Sequence, residues 1–271
     1  MKLIKYLAML LTGILLIFSC KTAPICVLDR VSETIGPEPR IIVGKVSQDI
    51  FLANHSDTAT LTIDYSYYST QFSSNLMDSV YKDSINSLIA KIVSSETILE
   101  SGIYPLQHHF FVAQLDSMAT EWNLYKAEES TPWEMEISIG IHEYVSFAEV
   151  TAFGWAYTGG AHGNGYNNYF QFDKSTGKAL KLTDFFTDVN ALNKIVEPHF
   201  RKLFKLTAKE SLNDYGFWFE NDQFSVYENF TFQVGELLVY YNSYDIAPYS
   251  GGPTELFVPF EEIKHLLKRD I

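Results

Sequence analysis

The spacing of apolar residues changes from helical to alternating near Trp133, and this change constrains the fold more than any other feature of the chain. An alternating pattern over 58–68 predicts a half-buried strand. Apolar residues then fall three to five positions apart over 76–93, and a similar stripe runs over 106–128, which predicts two amphipathic helices. From 135 to 141, apolar residues alternate with polar residues and glycine, which predicts another strand. Strands and helices come in groups, so we expect an α+β fold with antiparallel sheet packed with several helices.

The rest of the chain extends this pattern. Strands are predicted over 145–157, 166–172, 230–234, 237–241 and 256–258. A helix is predicted over 188–212, and Pro198 is expected to kink or break it. Pro259 is followed by Glu261 and Glu262, which suits the first turn of a last helix.

The start of the chain has the layout of a secretory signal. Lys2 and Lys5 precede an apolar run over 6–18, and Ser19 and Cys20 follow it. The run is shorter than the ~20 residues that a membrane-spanning helix needs. Its end resembles the lipobox of bacterial lipoproteins, in which a diacylglycerol is attached to the cysteine after cleavage just before it. We expect this processing at Cys20; the alternatives are an ordinary signal peptide cut nearby or an anchor that is retained.

Acidic residues outnumber basic residues, 33 against 20. Removal of Lys2 and Lys5 with the signal leaves 18 basic residues and a net charge of −15. Such an excess argues against nucleic-acid binding, which needs basic clusters, and it attracts cationic partners; a solubilising acidic surface is the alternative. If Cys20 carries lipid, Cys26 is left alone, which excludes an intramolecular disulfide and a cysteine-based metal site.

Composition and periodicity divide the chain into four segments. Residues 1–19 are the expected signal peptide, and residues 20–44, with several prolines and little periodicity, are an expected tether. Residues 45–130 hold the first strand and two helices, and residues 131–271 hold the remaining elements; we expect these two segments to pack as one unit. No later apolar stretch approaches spanning length, so the chain after Cys20 is expected on one side of a membrane, in the cell envelope.

The stretch Tyr157–Gly165 (YTGGAHGNG) places four glycines among its last seven residues, between two predicted strands. Glycine permits positive φ and a close approach to another group. One interpretation is therefore a ligand-binding loop. Its candidate contact residues are Tyr157, Gly159, Gly160, His162, Gly163 and Asn164. The other interpretation is a glycine-rich hairpin connection in which the histidine makes a local hydrogen bond.

A second unusual stretch, Tyr244–Pro253 (YDIAPYSGGP), combines turn-forming residues with two tyrosines. Tyr244 and Tyr249 are candidate contact residues, because tyrosine offers a large surface with little loss of entropy. The alternative is a packed corner in which the two hydroxyls are satisfied within the protein.

No metal or cofactor site is predicted. A zinc site needs three or four ligands, and neither His-x-x-x-His nor His-x-Glu-x-x-His surrounds His162. His108 and His109 are adjacent on a predicted helix and so point about 100° apart. The glycine stretch lacks the Gly-Lys-Ser/Thr of a phosphate loop, and no Gly-x-Ser-x-Gly motif is present. A carboxylate pair for hydrolysis stays open, since the spacing singles out no pair.

Both unusual stretches resemble motifs of a family of extracellular domains of unknown function. The resemblance rests on Tyr157–Gly163, Phe172–Asp173, Thr176–Lys178, Leu182–Phe186, Tyr244–Tyr249 and Val258–Ile263. In this family, such a module forms the outer part of the RsiV anti-sigma factor, where it acts as a receptor for lysozyme. A similar module precedes the catalytic domain of the peptidoglycan deacetylase PdaC. Residues 133–271 carry the match, and 45–130 is similar in layout only. The resemblance implies an α+β envelope domain without catalytic residues of its own.

The expected function is that of a lipid-anchored, non-catalytic binding module of the cell envelope. Its expected partner is a cell-wall glycan or a cationic protein such as lysozyme, and electrostatic attraction favours the cationic protein. Two alternatives stay open. One is a hydrolase of envelope polysaccharide or peptidoglycan that uses unidentified carboxylates, and the other is a structural or assembly lipoprotein. No nucleic-acid partner is expected.

Overall fold

The computed structural model describes residues 30–33, 41–51, 58–69, 76–95, 106–125 and 133–271. The expected signal peptide and Cys20 lie outside these residues. The strands are β1 (Arg30–Glu33), β2 (Ile41–Phe51), β3 (Thr58–Tyr68), β4 (Glu134–Glu143), β5 (Phe147–Tyr157), β6 (Asn164–Asp173), β7 (Ala179–Leu180), β8 (Phe230–Gln233), β9 (Glu236–Tyr241) and β10 (Thr254–Pro259). The helices are α1 (Leu76–Ser95), α2 (His108–Tyr125), α3 (Leu182–Phe185), α4 (Val189–Leu203) and α5 (Phe260–Ile263).

The strands form two sheets, which confirms the predicted α+β class. The larger sheet has the order β1-β2-β3-β4-β5-β6-β7, and the smaller has the order β10-β9-β8. All neighbours are antiparallel except β3 and β4, which pair in parallel from Thr60↔Glu134 to Asp64↔Ser138. The parallel pair follows from the connection, because the chain passes through α1 and α2 before it returns to the sheet.

Two hydrophobic cores lie on opposite faces of the larger sheet. The first packs α1 and α2 against β2 to β6, and the second packs α3 and α4 with the smaller sheet. Strand β5 serves both cores because its side chains alternate between the faces. Ala148 and Val150 belong to the first core, and Phe147 belongs to the second. The molecule therefore has three layers, with the larger sheet in the middle.

The predicted domain limits stay predictions. Strand β1 and the start of β2 fall inside the expected tether, residues 20–44. The β3–β4 pair and the first core cross the expected limit between residues 130 and 131.

Helix α4 is shorter than predicted. Asp188 caps its start by accepting a hydrogen bond from the Ala191 amide at 2.9 Å. Pro198 lies within the helix, and the helix ends at Leu203, where the prediction extended it to 212. Lys205 has a φ of 58°, a left-handed conformation that stops helical hydrogen bonding. Apolar residues of the following turns are buried in the second core and imitate helical spacing in the sequence.

Asparagine side chains hydrogen-bond the middle of the outer edge of β6. Strand β7 pairs only with residues 171–172 of β6. Further along that edge, Asn229 accepts a hydrogen bond from the Tyr169 amide at 2.9 Å and donates to the Asn167 carbonyl at 2.7 Å. Asn242 accepts from the Asn167 amide at 2.7 Å. Side-chain amides thus stand in for a neighbouring strand, and they fix the smaller sheet to the larger one.

Candidate functional site

The glycine stretch forms the connection between β5 and β6, which we call the glycine loop (residues 158–163). Gly159 and Gly160 have φ values of 91° and 89°, so the backbone here uses the conformations that only glycine adopts freely. The Tyr157 hydroxyl donates to the Gly160 carbonyl at 3.1 Å. The loop is therefore a tight connection tied to the end of β5.

The second stretch connects β9 to β10, and we call residues 242–253 the tyrosine loop. Its first turn is closed by the Asn242 amide, which donates to the Asp245 carboxylate at 2.7 Å. Tyr244 has a φ of 74°, which is rare for a bulky residue, and its side chain is 52% exposed. Because Asn242 is also bonded to β6, the tyrosine loop begins from a fixed point on the larger sheet.

The two loops meet in one exposed cluster of rings. The His162 ring stacks on the Tyr249 ring, with centroids 3.7 Å apart and planes 12° apart. The Tyr249 hydroxyl donates to the Gly163 carbonyl at 2.5 Å. The Tyr244 ring lies 5.5 Å from the Tyr249 ring. Side chains that are more than 80 positions apart in the chain therefore share one surface.

The proton position on His162 follows from its hydrogen bond. Nδ1 of His162 lies 3.0 Å from the Gly163 carbonyl oxygen. A carbonyl oxygen only accepts, so Nδ1 carries the proton in this contact. In the neutral imidazole, Nε2 is then an acceptor. The exposed His162 therefore offers a hydrogen-bond acceptor beside a flat aromatic surface.

Trp155 of β5 adjoins this surface through Gly163 and was not among the predicted contact residues. A Cβ atom on Gly163 would lie 2.3 Å from Cζ2 of Trp155, so the indole packs directly on the glycine. A Cβ atom on Gly165 would lie 3.1 Å from Cε3 of the same indole. The indole remains 36% exposed. The alternating pattern of β5 could have indicated Trp155, because residues two positions apart lie on the same face of a strand and Tyr157 begins the glycine loop.

We use the name aromatic cluster for Trp155, His162, Tyr244 and Tyr249. Of the eight predicted ligand-contact residues, the structure brings four together across the two loops. These four are His162, Gly163, Tyr244 and Tyr249. The other four, Tyr157, Gly159, Gly160 and Asn164, lie within the glycine loop or at its two ends. Both loops are tightly bonded corners that also leave aromatic surface exposed, and ligand binding by these loops stays a prediction.

The carboxylate with the most strongly raised pKa among the described residues is Glu149, and it is 1% exposed. Burial raises the pKa of Glu149 to about 7, although hydrogen bonds from Gln171 and Thr231 act to lower it. Both donor-to-acceptor distances are 2.8 Å. A raised pKa often marks a catalytic acid. Here the carboxylate is sealed between the larger sheet and β8, so it serves the packing of the two layers.

Three further observations concern the described residues. They contain no group of three or more histidine, cysteine or acidic side chains placed to hold a metal ion. A groove of about 170 Å³ beside β5 borders the aromatic cluster, and its lining includes Met135, Trp155 and Asn164. Among the helices that the structure describes, none is long and apolar enough to cross a membrane.

The fold and site define a three-layer α+β protein with an exposed aromatic cluster at the junction of two loops. Residues 183–261 match the model of DUF3298, a family of proteins of unknown function. The matched part includes the tyrosine loop and the smaller sheet. The glycine loop lies before it.

Two solved proteins of the DUF3298 family share the fold. One is from Bacteroides fragilis NCTC 9343, with 23% identity and a TM-score of 0.62; the match covers 84% of this chain and 93% of that chain. The other is from Pseudomonas aeruginosa PAO1, with 16% identity and a TM-score of 0.57, covering 86% and 95%. No protein with a curated description matches this sequence.

Proposed function

We propose that this protein is a lipid-anchored, non-catalytic binding module of the cell envelope that holds a cationic protein such as lysozyme at the aromatic cluster. The observation that carries this proposal is the meeting of the glycine and tyrosine loops in one exposed stack of rings. Tyrosine, tryptophan and histidine rings on a rigid base offer contact area with little entropy to lose. The tether and the lipid on Cys20 would hold the module at the membrane surface.

Charge supports a cationic partner. The mature chain has an expected net charge of −15. Glu134 and Glu136 are exposed, and the strand register places Glu136 opposite Trp155 and on the same sheet face. An acidic surface around aromatic residues attracts a positively charged protein and speeds its encounter. The resemblance of both loops to the outer module of RsiV makes lysozyme the natural first ligand to measure.

The experiment is a calorimetric titration of the full-length protein, in mild detergent, with lysozyme. We expect binding that weakens at high salt, because exposed charges are screened. Tyr244→Ala and His162→Ala should each lower the affinity at least tenfold, about 1.4 kcal/mol or more, as for contact residues at the centre of an interface. Phe257→Ala is the matched control, since this ring is 41% exposed on β10 outside the cluster.

Three other outcomes would contradict the proposal. Binding of peptidoglycan fragments that is lost in Tyr244→Ala and insensitive to salt, without lysozyme binding, would indicate a glycan-binding module. Release of soluble products from peptidoglycan by the purified protein would indicate a hydrolase. Binding of neither lysozyme nor glycan would leave the aromatic cluster without the proposed role and would favour an assembly lipoprotein.

A further inference from the structure

Next to the tyrosine loop lie two further exposed aromatic side chains, Trp218 and Tyr227. The Trp218 amide donates to the Ile246 carbonyl at 2.8 Å. Burial, and then the charge of the nearby Asp245 carboxylate, raise the pKa of Tyr227. The tyrosine loop is therefore tied to Trp218 through the Ile246 carbonyl, and it places the Asp245 carboxylate near Tyr227.

Trp218 is held outward by its neighbours in the chain. Phe217 and Phe219 are buried in the second core, and Trp218 between them is 52% exposed. The side chain of Asn213 ties this segment down, accepting from the Phe219 amide at 3.0 Å and donating to the Phe219 carbonyl at 2.8 Å. An exposed indole on a segment anchored in this way is preorganised for contact.

Tyr227 is fixed in the same manner. Its ring stacks at 5.8 Å on the ring of Tyr241, which is fully buried, and its own side chain is 43% exposed. Half-exposed aromatic rings supported from below are the residue types that dominate protein interfaces.

The stretch of sequence that contains Trp218, Tyr227 and Asp245 carries only negative charges. Residues 210–263 contain ten acidic residues and no lysine, arginine or histidine. Glu220 and Asp222 are exposed and follow Trp218 closely in the chain. Within the described ranges, neither of them forms an ion pair, and neither does Asp245. Hydrogen bonds, chiefly from the Asn213 amide, and the charge of Arg201 lower the pKa of Asp222. Because none of the three carboxylates forms an ion pair, they remain available to a cationic partner.

We propose that Trp218, Tyr227, Glu220, Asp222 and Asp245 form a docking surface for an arginine-rich face of a protein partner. We call these five residues the acidic aromatic surface. A guanidinium group is planar, stacks on aromatic rings and pairs with a carboxylate through two hydrogen bonds, whereas an ammonium group is a compact and strongly hydrated charge. Rings and carboxylates side by side thus select arginine over lysine. This inference rests on the proposed function, because the surface starts from the same tyrosine loop.

The test compares an oligo-arginine peptide with an oligo-lysine peptide of equal length, titrated into the full-length protein and followed by calorimetry and tryptophan fluorescence. We expect the arginine peptide to bind several-fold more tightly. Trp218→Ala and Tyr227→Ala should each weaken its binding about tenfold without any change of charge, which corresponds to about 1.4 kcal/mol. Trp218→Phe should keep part of the affinity, and Phe257→Ala should keep all of it. Circular dichroism checks that each variant is folded.

Equal affinity for the two peptides, or unchanged arginine binding in both aromatic variants, would overturn the inference, because net charge alone would then explain the binding. The same variants titrated with lysozyme separate this inference from the proposed function. Loss of lysozyme binding in Tyr244→Ala but not in Trp218→Ala or Tyr227→Ala would support the aromatic cluster as the lysozyme site and contradict a role for the acidic aromatic surface. Arginine-selective binding that depends on Trp218, without any lysozyme binding, would support the acidic aromatic surface and contradict the proposed function.

Discussion

Replacement of Glu149 by glutamine should remove a pH-dependent contribution to the free energy of unfolding. The carboxylate lies between the larger sheet and β8, and its two oxygens accept hydrogen bonds from neutral donors, Gln171 and Thr231. At neutral and higher pH, the folded protein therefore holds a buried charge. Glutamine has the same shape, can accept from Gln171 and can donate to the Thr231 hydroxyl, so the variant should keep the packing without the charge.

The direction of the effect follows from the raised pKa of Glu149. Below the ordinary pKa of 4.5, the carboxyl group is protonated in both the folded and the unfolded chain. Between 4.5 and about 7, the unfolded chain loses this proton and the folded chain keeps it, so stability falls as the pH rises. One pKa unit corresponds to 1.36 kcal/mol. The shift from 4.5 to about 7 therefore represents about 3 kcal/mol, present below pH 4.5 and lost above pH 7.

The assay is urea unfolding of the wild-type chain and of Glu149→Gln, followed by circular dichroism from about pH 4 to about pH 8. The stability of the variant relative to wild type should rise by about 3 kcal/mol across this range. Glu136→Gln is the matched control, because this glutamate is exposed on the neighbouring strand β4. A difference between Glu149→Gln and wild type that stays constant with pH would refute the reasoning, since it would mean that the carboxylate ionises equally easily in both states.

Three further predictions concern the lipid anchor, the glycine loop and the turn after β6. Cys20→Ala should move the protein from the membrane fraction to the soluble fraction on ultracentrifugation of lysed cells; a variant that still sediments with membranes contradicts the lipid anchor. Gly163→Ala should lower stability by about 2 kcal/mol, because its Cβ would lie 2.3 Å from the Trp155 ring. Gly160→Ala, which meets open space at a φ of 89°, should cost only about 1 kcal/mol, and equal thermal shifts would contradict this difference. Asp173 has a pKa lowered to about 2 by hydrogen bonds that outweigh its burial; Asp173→Asn should cost about 2 kcal/mol at neutral pH, a loss that disappears as the pH falls from about 4 to about 2 and is measurable by thermal unfolding.

Local patterns predicted most elements well. Strand β3 has the predicted bounds, 58–68, and α1 covers the predicted apolar stripe. Strand β2 was not predicted, because Gly44, Lys45 and Asp49 interrupt its apolar pattern. The parallel pairing of β3 with β4 has no local signal, since it depends on where the two intervening helices return the chain. The end of α4 was missed because a single left-handed residue stops it, whereas the apolar spacing continues.

The two loops of the candidate site could be predicted from the sequence, but the contact between them could not. Glycine content singled out one loop, and turn-forming residues beside tyrosines singled out the other. Their contact through His162, Gly163 and Tyr249 is a tertiary event that no spacing encodes. Trp155 and Trp218 were missed, because an isolated tryptophan looks the same in a sequence whether its ring is buried or exposed. The absence of basic residues from 210–263 is the feature of the sequence that could have indicated the acidic aromatic surface.

The asparagine side chains along β6 have a consequence for contacts between copies of this protein. An edge strand with unpaired N–H and C=O groups can pair with a strand of a second copy, and such pairing leads to aggregation. On β6, the amide and carbonyl of Asn167 and the amide of Tyr169 already have hydrogen-bond partners in Asn229 and Asn242 of the same chain. The middle of this edge therefore offers fewer free backbone groups to the strand of a second copy.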